Sequence, residues 1–131
     1  MSVTLTIYDE TLSGEKTPRL TLDFAVQRIT VRDLIRDRVY QEVHDYNQAQ
    51  PEYFRGLVQP TDSEQVLNGY KLPKQRSIDW GKQYEKALQA FQNNGFIILV
   101  NDRQVEDLEE EIELTEELPI SFLRLIPLVG G

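Results

Sequence analysis

The chain has no cysteine among its 131 residues, which excludes disulfides, thiolate metal sites and a cysteine nucleophile of its own. Any thiol chemistry has to come from a partner. It has one histidine, His44, too few for a multi-histidine metal site and standing in no recognisable triad pattern. Set in a helical pattern, His44 reads as an ordinary surface residue. Long apolar runs are missing too: "FIILV" at 96–100 and "LRLIPLV" at 123–129 fall far short of the roughly 20 residues that cross a bilayer. The opening "MSVTLTIYDE" has neither the basic leader nor the apolar stretch of a secretion signal, so the cytoplasm is the expected compartment and no membrane is expected as a partner. Positive charge is scarce. Lys and Arg number 14 against 22 Asp and Glu, a formal net charge of −8. Nucleic acid, whose phosphates want a basic face, is therefore not an expected partner, whereas proteins with basic surfaces are.

What remains is enough for one domain. With 40% apolar residues, a chain of this length buries a core without staples. Val3, Leu5 and Ile7 alternate with Ser2, Thr4 and Thr6, a period of two that predicts a half-buried strand, and "RLTLDF" at 19–24 repeats it. Gly14 and Pro18 lie in the polar link between them, so the two strands form a hairpin with a loose loop. The period then changes. Thr30 is a credible N-cap, and Val31, Leu34, Ile35, Val39, Val43 and Tyr46 recur at helical spacing over 30–47 until Pro51 forbids continuation. The expected arrangement is this helix across the hairpin's apolar face.

Residues 51–78 lose periodicity while staying apolar through Tyr53, Phe54, Leu57, Val58 and Tyr70. They predict an ordered excursion with a short helix at 63–67. A second amphipathic helix follows through Trp80, Tyr84, Ala87, Leu88 and Phe91, stopped by "NNG", with Trp80 and Phe91 expected as packing anchors. "FIILV" predicts a strand covered on both faces, and "NDRQV" a turn and short return. The run "EDLEEEIELTEE" at 106–117 lacks the glycines and closely spaced Asp/Asn of an oxygen-ligand loop, so it reads as a solvated acidic face and not as a metal site. In the excursion and second helix, Lys71, Lys74, Arg76, Lys82 and Lys86 read as a solvated basic face that balances the acidic run, with a docking or self-association surface for the acidic run of a neighbouring copy as the sharper reading. The final strand has Ile120 and Phe122 on one side, Leu123 and Leu125 on the other, as a central strand requires. A last strand inserted centrally into a mixed sheet around a helix is an α+β arrangement of the β-grasp kind.

Three stretches carry a family resemblance: "TVRDLI" (Thr30 to Ile35); "VN" (Val100, Asn101) followed by Val105 and "LTEELPISF"; and the ending "IPLVGG" (Ile126 to Gly131). With them the chain resembles the ubiquitin-like β-grasp superfamily, which includes ubiquitin-like modifiers and the sulfur carriers of molybdopterin and thiamine synthesis. The resemblance implies one β-grasp domain over 1–131, a mixed sheet packed on a long helix. A partly helical insertion occupies approximately 48–95, and an extended tail 126–131. It departs from the carriers at Glu116, Glu117, Leu118 and Pro119, where they commonly have an Asp-Gly-Asp turn. Residues 48–95 have no counterpart in the minimal fold.

Functionally, the resemblance implies a substrate of other enzymes and not an enzyme. An adenylating activating enzyme would spend ATP, with magnesium, on the carboxyl group of Gly131, and the chain itself would bind no cofactor. Gly130, Val129, Leu128, Pro127 and Ile126 would form the part of the tail that the activating enzyme grips. The six residues extend about 20 Å, the glycines admit close backbone approach, and Pro127 limits the entropy lost on insertion. Leu125, Ile126, Leu128 and Val129 add an apolar strip of the kind that marks a binding surface. As a modifier the chain would pass to a target amine through a conjugating enzyme and meet a deconjugating protease; no residue names the target. The alternatives are a sulfur carrier whose Gly131 becomes a thiocarboxylate, and a β-grasp binding module that is never conjugated.

Overall fold

A computed structural model describes residues 2–66, 69–72 and 76–125. In chain order the elements are β1 (Val3–Glu10), β2 (Lys16–Phe24), β3 (Arg28–Thr30), α1 (Val31–Ala49), β4 (Glu64–Val66), β5 (Gly69–Lys71), α2 (Trp80–Gln92), β6 (Phe96–Val100), β7 (Arg103–Val105), β8 (Glu111–Glu113) and β9 (Ile120–Arg124). The class is α+β. The chain divides into two compact units, residues 1–34 with 90–131, and residues 35–89. The tail assigned from sequence, 126–131, lies outside the described residues.

The first unit holds a mixed five-stranded sheet in the order β2-β1-β9-β6-β7. β1 and β2 form the antiparallel hairpin expected from their alternation, with a register irregularity between Ile7 and Tyr8. β9 takes the middle of the sheet, parallel to β1 and antiparallel to β6. Its residues explain that choice: Ile120 and Phe122 are fully buried on one face, and Ser121 on the other is only 3% exposed. The "FIILV" strand differs from its expectation. Phe96, Ile98 and Val100 are buried, but Ile97 and Leu99 are only half-buried, so β6 is closed on one face and partly open on the other. Asn101 and Asp102 both take positive φ, 52° and 63°, the geometry that turns β6 straight back into β7.

The acidic run is tied down by backbone bonds. β8 pairs with β3, Leu114 N donates to Gln27 O at 2.7 Å, and Val31 N and Arg32 N donate to Glu110 O and Leu108 O. Leu108, Ile112 and Leu114 point inward while Glu109, Glu111 and Glu113 face water. At the start of α1, Asp33 N donates to Thr30 Oγ1 and Thr30 N to Asp33 Oδ2, both at 3.1 Å. This is a reciprocal cap with Asp in the place usually held by Glu.

The second unit takes up α1 from Ile35 and α2 as far as Gln89. On α1, Ile35, Val39, Val43 and Tyr46 are buried as the helical spacing requires. Arg38 lies among them with no exposed surface, its Nη2 3.1 Å from Glu42 Oε2 one turn on. The second Glu42 oxygen accepts Leu57 N at 3.1 Å, so the buried carboxylate is bonded on both sides, as a charge removed from water must be. The helix expected at 63–67 is replaced by a hairpin: Glu64, Gln65 and Val66 pair with Lys71, Tyr70 and Gly69. Gly69 has φ +133°, a value outside the range of a helical residue and open chiefly to glycine. Asp79 caps α2, accepting Gly81 N at 2.9 Å and Lys82 N at 3.3 Å.

Candidate functional site

All six residues assigned to activation, Ile126, Pro127, Leu128, Val129, Gly130 and Gly131, lie outside the described residues. The structure does place the strand that leads into them. β9 is hydrogen-bonded along both sides, to β1 through Ile7↔Ile120 and its followers, and to β6 from Val100↔Ile120 to Phe96↔Arg124. One residue later Leu125 N still donates to Gly95 O at 3.1 Å. The last described residue is therefore anchored at the β6 end where α2 stops. That stop is built from Asn94, with φ 60°, and from Gly95 N donating back to Ala90 O at 2.7 Å.

Two surfaces of the first unit frame this strand. On the sheet face opposite Ile120 and Phe122, strand alternation and register set Tyr8 and Leu99 on either side of Ser121, and Leu123 beside Ile97. These four apolar side chains are half-buried, an apolar patch that sequence reasoning had split between separate elements. The second surface is acidic. Arg28, Arg32 and Arg103 pair with Glu111, Glu109 and Glu110, leaving Glu106, Asp107, Glu113, Glu116 and Glu117 exposed with no ion pair among the described residues. Among the described residues no three His, Asp or Glu side chains gather to hold a metal ion, and no described helix is long and apolar enough to cross a membrane.

In the second unit the aromatic stripe departs from expectation. Phe91, just beyond that unit, is a buried anchor, but Trp80 is 38% exposed and Tyr40 49%. Trp80 starts α2, where a side chain looks back past the helix end and has fewer neighbours to cover it. Its ring meets Tyr40 edge-on at 5.5 Å and Tyr84 at 5.9 Å, and Tyr40 stacks on the exposed His44 at 5.9 Å. The row is fixed from behind by Asn47, whose side chain both accepts from Ile78 N and donates to Ile78 O. Of the basic residues, Lys71, Arg76 and Lys82 are exposed. Arg76 and Lys86 donate to the carbonyls of Thr61 and Gln59, and Lys74 lies outside the described residues. Tyr53 is held above its usual phenol range by the hydrogen bond its hydroxyl donates to the neighbouring Glu52 and by that residue's charge, so it offers no acid or base near neutrality.

No protein-family model matches the chain, nor does any curated protein or solved structure.

Proposed function

We propose that the chain is a ubiquitin-like modifier of the β-grasp kind, activated at Gly131 and transferred to an amine on a target protein. The observation that carries the reading is the position of β9. A strand held centrally, parallel to β1 and antiparallel to β6, runs without interruption toward "IPLVGG". A partner's grip on the tail is thus transmitted to the middle of a hydrogen-bonded sheet and not to a loose edge.

The chemistry is dictated by the carboxylate. As an anion without a leaving group it resists attack, so it must first be activated. A Gly131 carboxylate oxygen attacks the α-phosphorus of ATP, the bond to the β-phosphate oxygen breaks, and pyrophosphate leaves. A nucleophile on a partner then attacks the acyl carbon and AMP departs with the electron pair of the broken bond. ATP, magnesium and the thiol absent from this chain are supplied by the activating and conjugating enzymes.

The sulfur-carrier reading shares the first step and differs in the second, where sulfide equivalents replace the amine and leave a thiocarboxylate. It is favoured by the tight Asn101–Asp102 turn following Val100, at the place where the sequence resembles the carriers. Intact mass after incubation with the cognate activating enzyme and ATP separates the readings. A covalent protein adduct is expected, a mass gain equal to replacement of oxygen by sulfur identifies the carrier, and an unchanged mass leaves the unconjugated binding module.

A further inference from the structure

Beside the end of β9 the first unit has a small cavity of about 80 Å³, lined by Phe91, Asn94, Phe96, Ile97, Gln104, Val105 and Glu106. Its walls and rim differ in kind. Phe91, Phe96 and Val105 are buried, with the two phenyl rings 5.8 Å apart. Asn94, Gln104 and Glu106 are exposed. Register places the cavity one strand from the end of β9: Phe96 and Ile97 pair with Arg124 and Leu123. Glu106 has no ion pair among the described residues and lies in the unit with 14 acidic and six basic residues.

The volume decides what fits. It is the room of two or three waters, well below the roughly 300–1,000 Å³ of a small-molecule site, and about right for part of one side chain. The lining asks for a group with an apolar stem and a flat cationic head: methylenes against aromatic and aliphatic walls, donors toward a carboxylate and two amide oxygens at the rim. Arginine has that shape. Its stem buries while the head stays wet, its planar guanidinium lies against aromatic faces, and its fork of donors serves several acceptors together.

We propose that this cavity receives an arginine side chain presented by a partner protein, docking that partner beside the strand that leads into the tail. Identifying the partner with the activating enzyme rests on the function proposed above; the recognition of arginine does not.

Amide NMR of the full chain, titrated with n-butylguanidinium as the probe, tests the recognition directly. Shifts concentrated at Phe91, Asn94, Phe96, Gln104, Val105 and Glu106 are expected. Neutral n-butylurea, which keeps the stem, and free guanidinium, which lacks it, should each bind more weakly. Glu106→Gln should weaken the cationic probe about threefold, in the range of an exposed ion pair, and leave n-butylurea unchanged; Gln104→Lys should weaken it further. Equal binding of all three probes, or shifts confined to residues 107–117, overturns the proposal. With the cognate activating enzyme, Glu106→Gln should raise KM and spare kcat. If the probe binds but no adenylation occurs with the unaltered chain, the modifier reading fails and the arginine site stands. If adenylation proceeds but no probe binds at the cavity, the reverse holds.

Discussion

The two compact units have solved the problem of charge in opposite ways. Residues 35–89 carry eight basic and eight acidic side chains, whereas residues 1–34 with 90–131 carry six against 14, so the whole net charge of −8 belongs to the unit with the five-stranded sheet. In that unit the buried positions of the strands are apolar apart from Ser121, and surplus carboxylates stand on the outer positions of a segment whose inner side chains are Leu108, Ile112 and Leu114. In the balanced unit a complete ion pair, Arg38 with Glu42, has been taken inside. Charge on a surface costs little stability and serves recognition; charge in a core is tolerated only when paired and bonded.

The largest effect should come from the tail of the acidic unit. A chain ending at Val129 should lose ATP-dependent pyrophosphate exchange with the cognate activating enzyme to background, while its thermal midpoint stays within experimental error, because terminal glycines add no packing. Full exchange by the truncated chain would refute both the modifier and the carrier. The next largest belongs to the balanced unit. Arg38→Met strands Glu42 in the interior and should cost about 3–5 kcal/mol by denaturant unfolding. Arg38→Met with Glu42→Leu should recover much of that, and a double variant no better than the single one would show that the pair is not what holds the site. In the acidic unit, Leu34→Ala at a fully buried position should cost about 2–5 kcal/mol; a change near zero would mean that the inner face of α1 has been misread.

The core was legible where a residue pattern repeats. Val31, Leu34, Ile35, Val39, Val43 and Tyr46 are buried at the spacing that predicts them, and β9 is central because both of its faces are apolar or small. The three-residue strands were not legible: β3 and β8 are too short to show a period, and Glu64–Val66 looked helical because three residues cannot reveal that their partner is Gly69–Lys71. Arg38 was hidden because a cation on a helix is ordinarily solvated, and the Glu42 that pays for its burial lies one turn away among residues of the same polar type. Trp80 misled in the other sense, its position at the first turn of α2 leaving it uncovered. Of the candidate site, the proposed acyl chemistry rests on "IPLVGG" alone, which lies outside the described residues; the cavity near the end of β9 was not legible, since Phe91, Phe96 and Val105 come from three elements.

The smallest effects should lie on the charged surfaces. Glu113→Lys should shift stability by no more than about 0.5 kcal/mol, as exposed substitutions do. Self-association between Lys71, Lys82 and their basic neighbours and the 106–117 segment of another copy should appear in sedimentation as a concentration-dependent rise at low salt. It should vanish at about 0.5 M salt, where charges beyond a few ångströms are screened. Monomeric sedimentation at every concentration and low salt would remove that reading.

The central position of β9 also sets an order of events in time. Of the strands in its sheet it is the last to be synthesised, and until it docks, β1 and β6 have no partner on their inner edges. The sheet therefore cannot grow outward from a finished middle; hairpin and β6–β7 return wait as separate pieces for residues 120–124 to join them. Closure over so long a loop is slow, and a chain interrupted before Ile120 would expose two open strand edges, each a template for pairing with another molecule. Only a chain that has reached β9 can bury the inner edges of β1 and β6.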